Sequence, residues 1–147
     1  MDDTLLACVV VVDDSEDHRY LARRAVRRAR LAEQVIECAD GESALRVLLA
    51  RATSAPEVAE GLTLALIDVN MPRMNGFELL DRLGEGLVDR KAPAPFIVAV
   101  SSSSADAVDV ERALGHPLVH AYLSKPPVPD ALRELVDEQL GLRRGGS

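Results

Sequence analysis

Five side chains in this sequence could do chemistry together: Asp13, Asp14, Asp68, Ser101 and Lys125. Each ends or closely follows an apolar run. "VVVVDDS" sets Asp13 and Asp14 behind a run of valines, and "LALID" ends in Asp68. "FIVAVS" ends in Ser101, and "VHAYLSK" leads to Lys125. Three carboxylates held close together repel, and they stay ionised only where a cation offsets their charge. Mg²⁺ suits such a set, because it prefers oxygen ligands and is often held by one or two carboxylates plus a substrate phosphate. No His or Cys stands beside the acids to favour zinc. Lys125 adds a point charge suited to a carboxylate or a phosphoryl group. Ser101 offers a hydroxyl donor. A carboxylate can attack phosphorus and form an acyl phosphate, with metal and lysine stabilising the charge in transit. Taken singly, each residue has a plainer reading. Asp14 or Ser15 caps a helix, Asp68 initiates the turn before Pro72, Ser101 is one of several loop serines, and Lys125 is solvated. Those plain readings require a coincidence only when the residues are taken as a set.

The set converges only if the elements place it. "ACVVVV" (Ala7 to Val12) reads as a strand buried on both faces. A helical stretch follows from Ser15 to about Arg30. "QVIECA" (Gln34 to Ala39) is a weaker strand, ended by Asp40 and Gly41, and Asp40 can cap a helix from Glu42 to about Ala52. "LTLALID" (Leu62 to Asp68) is the third strand. A helix begins at Asn75 or Gly76, with Leu79, Leu80 and Leu83 on one face. "FIVAV" (Phe96 to Val100) is the fourth strand. Ser103 to Asp106 matches a capping box, which predicts a helix to about Leu114 with Asp106 at its third position. "VHAYL" (Val119 to Leu123) is the fifth strand, and Pro129 suits the first turn of a last helix. There Leu132, Leu135, Val136 and Leu140 recur at helical spacing. Strand–helix–strand units favour parallel pairing with right-handed crossovers. Helices then cover both faces of an open sheet. Ligands bind outside the carboxyl ends of such strands, where the strand order reverses. All five chemical residues fall there. The longest loops, Thr53 to Thr63 and Gly84 to Pro95, precede strands and so lie at the far end from the site.

The totals agree with one domain. The chain has 147 residues, 48% apolar and 28% charged, enough to bury a core without disulfides or metal staples. A net charge of -7 argues against broad affinity for nucleic acid or an anionic membrane. The longest apolar run, Leu5 to Val12, is too short to span a bilayer. The acidic start "MDDTLL" lacks the positive region of a signal peptide. Cys8 and Cys38 sit in apolar runs, which makes them small core residues rather than a redox pair. A cytoplasmic protein fits.

These motifs resemble the receiver (response regulator) domain of two-component signalling, in its single-domain, chemotaxis-regulator-like form. "VVVVDDS" looks like that family's acidic pair after its first strand. "LIDVNMPRMNG" resembles its phosphoacceptor segment, "VAVSS" its strand ending in Ser or Thr, and "YLSKP" its aromatic and Lys-Pro segment. The likeness covers about Leu5 to Leu140. It implies a flavodoxin-like α/β fold: a doubly wound, five-stranded parallel sheet in the order 2-1-3-4-5, with five helices. The receiver would run over residues 5–142, with short tails at 1–4 and 143–147. Asp68 would accept a phosphoryl group from a histidine kinase or a histidine phosphotransfer protein. Asp13, Asp14, Asp68 and the backbone carbonyl of Asn70 would hold Mg²⁺. Ser101 would contact the phosphoryl group and Lys125 would pair with it. Tyr122 matches the switch aromatic, and the Lys125–Pro126 bond corresponds to a cis peptide.

The sequence also departs from the pattern. Asn75 replaces the usual Asp before Gly76. "GHPLVH" (Gly115 to His120) is longer than the usual connection before the fifth strand. Pro127 follows Pro126 where an aromatic or aliphatic residue is common. Asn70 and Ser103 occupy the two positions that tune dephosphorylation in the family. Six arginines, Arg19, Arg23, Arg24, Arg27, Arg28 and Arg30, lie in or just beyond the first helical stretch. They read first as a solvated basic face, and second as a docking face for an acidic partner helix. His18 reads as a solvent-facing helical residue, and His116 and His120 show no ligand spacing. The expectation is a stand-alone phosphoacceptor, not an enzyme beyond its own phosphorylation and dephosphorylation chemistry. It would signal through a downstream protein target, without nucleic acid or membrane. The rivals are a receiver-like scaffold or phosphate sink, and a metal-dependent phosphohydrolase using Asp68. The hydrolase would need an acid or base two residues on, where Asn70 stands.

Overall fold

Five short apolar runs pair side by side, the central three buried on both faces and the outer two partly exposed. In the computed structural model, which describes residues 5–54, 62–88, 95–102 and 106–145, they form one parallel sheet in the order β2-β1-β3-β4-β5. The strands are β1 (Cys8–Val12), β2 (Val35–Cys38), β3 (Thr63–Asp68), β4 (Phe96–Ser102) and β5 (Ala121–Ser124). The helices that alternate with them are α1 (Glu16–Arg28), α2 (Gly41–Ser54), α3 (Gly76–Gly86), α4 (Ala107–Leu114) and α5 (Pro129–Gly145). The doubly wound α/β fold and its expected strand order are both present.

The sheet divides the interior in two. Side chains alternate along a strand, so Cys8, Val10 and Val12 enter one core with Leu48, Phe77, Leu80 and Leu83 of α2 and α3. Val9 and Val11 enter the other, with Val26 of α1 and Leu132 and Val136 of α5. Fully burying each such Val or Leu contributes about 1.5–3 kcal/mol. That burial, more than β-propensity, makes a strand of the Leu-rich β3.

Local signals set most helix starts. Ser15 caps α1, its side chain accepting from the His18 N–H. Asp40 Oδ1 accepts from Ser43 N at 2.8 Å at the start of α2. Asn75 and Glu78 form a reciprocal capping box on α3, so the uncharged Asn serves that end fully. The start of α4 differs from expectation. Asp106 is itself the N-cap, accepting from Val108 N at 2.8 Å, instead of standing at the third helical position. The reason is that β4 continues to Ser102, which pairs with Ser124 of β5. The helix starts after it, with Asp106, a strong capping residue, as its cap. Ser103 and Ser104 of the expected capping box lie outside the described residues. At the other end of the chain α5 continues to Gly145, beyond the Leu142 limit expected for the domain.

The segment from Gly115 to His120 is held by its two histidines. His116 Nδ1 accepts from Leu118 N at 3.2 Å, and its Nε2–H therefore donates to Asp81 Oδ1 of α3 at 2.9 Å. His120 Nδ1 accepts from Val98 N at 3.0 Å, while its own N–H donates to the Val98 carbonyl at 2.8 Å. Both rings act as loop braces. No helix among the described residues is long and apolar enough to cross a membrane.

Candidate functional site

The strand order reverses between β1 and β3, and the acids stand at the carboxyl ends of those two strands. Val12 pairs with Ile67, so Asp13 and Asp68 follow side by side. Asp68 in turn pairs with Ser101 on β4. Lys125, just past β5, is tied in by its N–H to the Ser102 carbonyl at 3.2 Å. All five residues expected at the site are therefore at one edge of the sheet.

The two buried acids are held in the same local way. Asp13 Oδ1 accepts from Ser15 N at 2.9 Å, and Asp68 Oδ1 accepts from Asn70 N at 3.1 Å. Each carboxylate thus turns its own backbone two residues on and leaves Oδ2 facing the pocket. Lys125 Nζ lies 2.5 Å from Asp13 Oδ2 and 3.2 Å from Asp68 Oδ2. All three of these side chains are nearly buried, while Asp14 is exposed. Two buried carboxylates against one buried ammonium leave an excess negative charge. Burial pushes the Asp68 carboxyl above its ordinary pKa, and the neighbouring Asp13 charge adds to this. The Asn70 N–H and Lys125 oppose it. Oxygens of Asp13, Asp14 and Asp68 lie within 4.8 Å of one another. An all-oxygen donor set with uncompensated charge fits a hard cation.

The turn after β3 is built around close approach. Gly76 N donates to the Val69 carbonyl at 3.2 Å. A Cβ on Gly76 would stand 2.5 Å from the Asp68 carbonyl oxygen and 2.9 Å from Val69 Cα. Only glycine lets α3 begin directly behind Asp68. The chain reaches it through a tight turn in which Met74 N donates to the Pro72 carbonyl at 2.8 Å across Arg73, whose φ is 68°.

Three participants were missed in the sequence reading. His18, expected to face solvent, sits at the pocket rim with Nδ1 3.2 Å from Lys125 Nζ and 3.6 Å from Asp13 Oδ2. Its side chain is 40% exposed. It stands in the first turn of α1, where side chains lean back toward the helix N-terminus and here over the strand ends. Arg19 Nη1 donates to the Asp13 carbonyl at 2.8 Å. Its Nε and the neighbouring Arg23 both bind Glu37 on β2, so two of the six arginines are committed within the fold. Arg24, Arg27, Arg28 and Arg30 are exposed. Ser102 is the third, 3.4 Å from Asn70 Nδ2. The strand pattern ended β4 too early to single it out. Tyr122 is partly buried against the α2–α3 core, beside Val100 in the ladder. The Lys125–Pro126 bond is cis, as the resemblance implied.

The family model of the response regulator receiver domain matches residues 9–137. The chain belongs to the receiver domain family. This receiver is 27% identical over 130 residues to a probable methanogenesis regulatory protein, FilR2, of Methanothrix harundinacea, covering 88% of this chain and 79% of that one. It is 28% identical over 137 residues to a chemotaxis protein CheY homolog of Campylobacter jejuni, covering 93% and 95%. Among solved structures, a two-component response regulator from Cytophaga hutchinsonii superposes with a TM-score of 0.75 at 28% identity, covering 94% of the receiver and 98% of that chain. The receiver is thus a domain of two-component signalling, with an acidic cluster at its strand ends that could bind a metal ion.

Proposed function

We propose that the receiver accepts a phosphoryl group on Asp68 from a histidine kinase or a histidine phosphotransfer protein, and passes the signal on by contact with a target protein. The observation that carries this is the pairing of one buried, charge-excess carboxylate with Lys125 at the point where the strand order reverses. An Asp68 carboxylate oxygen forms the new bond to phosphorus as the bond from phosphorus to the donor atom breaks, and that electron pair leaves with the donor. Asp13, Asp14, Asp68 and the Asn70 carbonyl would hold Mg²⁺, which when bound supplies positive charge to the transferring group. Lys125 holds a second positive charge beside the Asp68 oxygen. Ser101, opposite Asp68 in the ladder, presents its hydroxyl to a phosphoryl oxygen, and its movement is passed to Tyr122 as the switch. The shift acts on an equilibrium that already exists in the free domain.

The test uses the full chain with Mg²⁺ and acetyl phosphate, read by intact mass. A labile phosphoryl adduct is expected on the wild type and none on Asp68→Asn. An equal adduct on Asp68→Asn would overturn the assignment. Absence of an adduct with small donors and kinases alike would favour a scaffold, and steady turnover of general phosphate esters would favour a hydrolase.

A further inference from the structure

We propose that His18 is a positioning residue for the Lys125 ammonium during phosphoryl transfer, an inference that rests on the phosphoacceptor reading above. A lysine ammonium has three N–H donors and no acceptor. Lys125 Nζ meets three acceptors: Asp13 Oδ2 at 2.5 Å, Asp68 Oδ2 at 3.2 Å and His18 Nδ1 at 3.2 Å. Two of them are claimed during the reaction. Asp13 belongs to the acidic set that fits a cation, and Asp68 takes the phosphoryl group. His18 is the acceptor that neither event removes.

The surroundings make that third bond matter. Lys125 and His18 line a cleft of about 150 Å³ whose other walls include Leu21, Leu66, Leu123 and Pro127. Without the imidazole, the ammonium's third hydrogen faces a largely apolar wall, and a buried donor left unsatisfied is costly. The ammonium then settles more tightly on Asp13, where it competes with a cation and stands away from the incoming phosphoryl oxygen. With His18 in place, Lys125 can leave Asp13 and stay beside Asp68. The His18 backbone is held in the first turn of α1, where its main-chain N–H donates to Ser15 Oγ at 3.2 Å.

In the reaction with acetyl phosphate, an Asp68 oxygen bonds to phosphorus as the bond to the acetate oxygen breaks. The electron pair leaves on acetate and no proton moves. His18 touches neither reacting atom, so its effect belongs in the rate of the bound complex.

Two variants separate this from a chance contact at the rim. His18→Asn keeps a polar atom at the same number of bonds from Cα as Nδ1. His18→Leu keeps the bulk and has no acceptor. Adduct formation is followed by intact mass against acetyl phosphate concentration, and Mg²⁺ binding is measured separately by calorimetry without donor. The expected result for His18→Leu is a saturated rate lowered roughly ten- to a hundredfold, the range of a small misplacement, with the half-saturating concentration unchanged. Its Mg²⁺ affinity falls severalfold, and His18→Asn recovers most of both. A wild-type rate in His18→Leu, a loss confined to the half-saturating concentration, or an Asn variant no better than Leu would each overturn the proposal. So would equal Mg²⁺ affinity in the wild type and His18→Leu, whether or not an adduct forms. Lack of any wild-type adduct, by contrast, would sink the phosphoacceptor reading and leave the calorimetric comparison to decide the role of His18.

Discussion

Asp68 is a residue at which chemistry and stability oppose each other. Burial, aided by the Asp13 charge, raises its carboxyl above the ordinary value of 3.8. A carboxyl with a higher pKa folded than unfolded costs stability when ionised. That cost is present in full above the folded pKa, and it fades as pH falls through it toward the unfolded value. Asp68→Asn is therefore expected to raise the melting temperature at pH 7, by about 2–4 °C for each kcal/mol relieved in a chain of this size. The gap to wild type should narrow as pH falls toward 4, and calorimetric melts across that range will show it. A melting temperature for Asp68→Asn that is lower at pH 7 would contradict the charge excess described here. The five chemical residues were legible in the sequence because each ends or follows an apolar run, and a parallel sheet brings such ends together. His18 was not. Its role depends on a contact with Lys125 across 107 positions and on how far a first-turn side chain leans, and no local pattern encodes either.

At the scale of the element, α1 ends in an unusual way. Leu31 N donates to the Val26 carbonyl at 3.3 Å and Arg30 N to the Arg27 carbonyl at 3.1 Å. This is the double bond pattern that closes a helix through a left-handed residue. That residue is Arg30, at φ 55°, where glycine is the usual occupant. Arg30→Gly is expected to stabilise the domain by roughly 0.5–1 kcal/mol, the ordinary cost of a side chain in that conformation less the freedom glycine adds to the unfolded chain. Urea denaturation will read it as a higher midpoint at unchanged slope. The helix end near Arg30 was read from the sequence within two residues even though no glycine marks it. The start of α4 was misplaced, since strand length is set by the ladder to β5 and not by the serines themselves. β2 is shorter at both ends than expected, running Val35–Cys38, and β5 is displaced toward its carboxyl end, running Ala121–Ser124.

At the scale of the whole molecule, the core on the α2–α3 side carries an internal report of folding. Cys8 and Cys38 are free and buried. Burial, helped by the Asp40 and Cys8 charges, pushes the Cys38 thiol up to about 11, and burial also raises that of Cys8. Neither supplies thiolate near neutrality, so a thiol reagent at pH 8 should label the native protein slowly and follow global unfolding when urea is titrated. Fast labelling of folded protein would mean that β1 or β2 opens locally. The layered architecture was legible because it follows from alternating apolar runs and amphipathic segments. The division of labour between cores was not, because four consecutive valines at Val9 to Val12 have no phase. Slipping β1 by one residue presents nearly the same side chains to both sides. What marks the phase is the end of the run, where Asp13 is buried against Lys125 and Asp14 is exposed. A slip would bury the wrong carboxylate or strand the right one, and an unpaired buried charge is strongly penalised. The acid that serves the pocket is thus also the punctuation that tells the central strand where to stop.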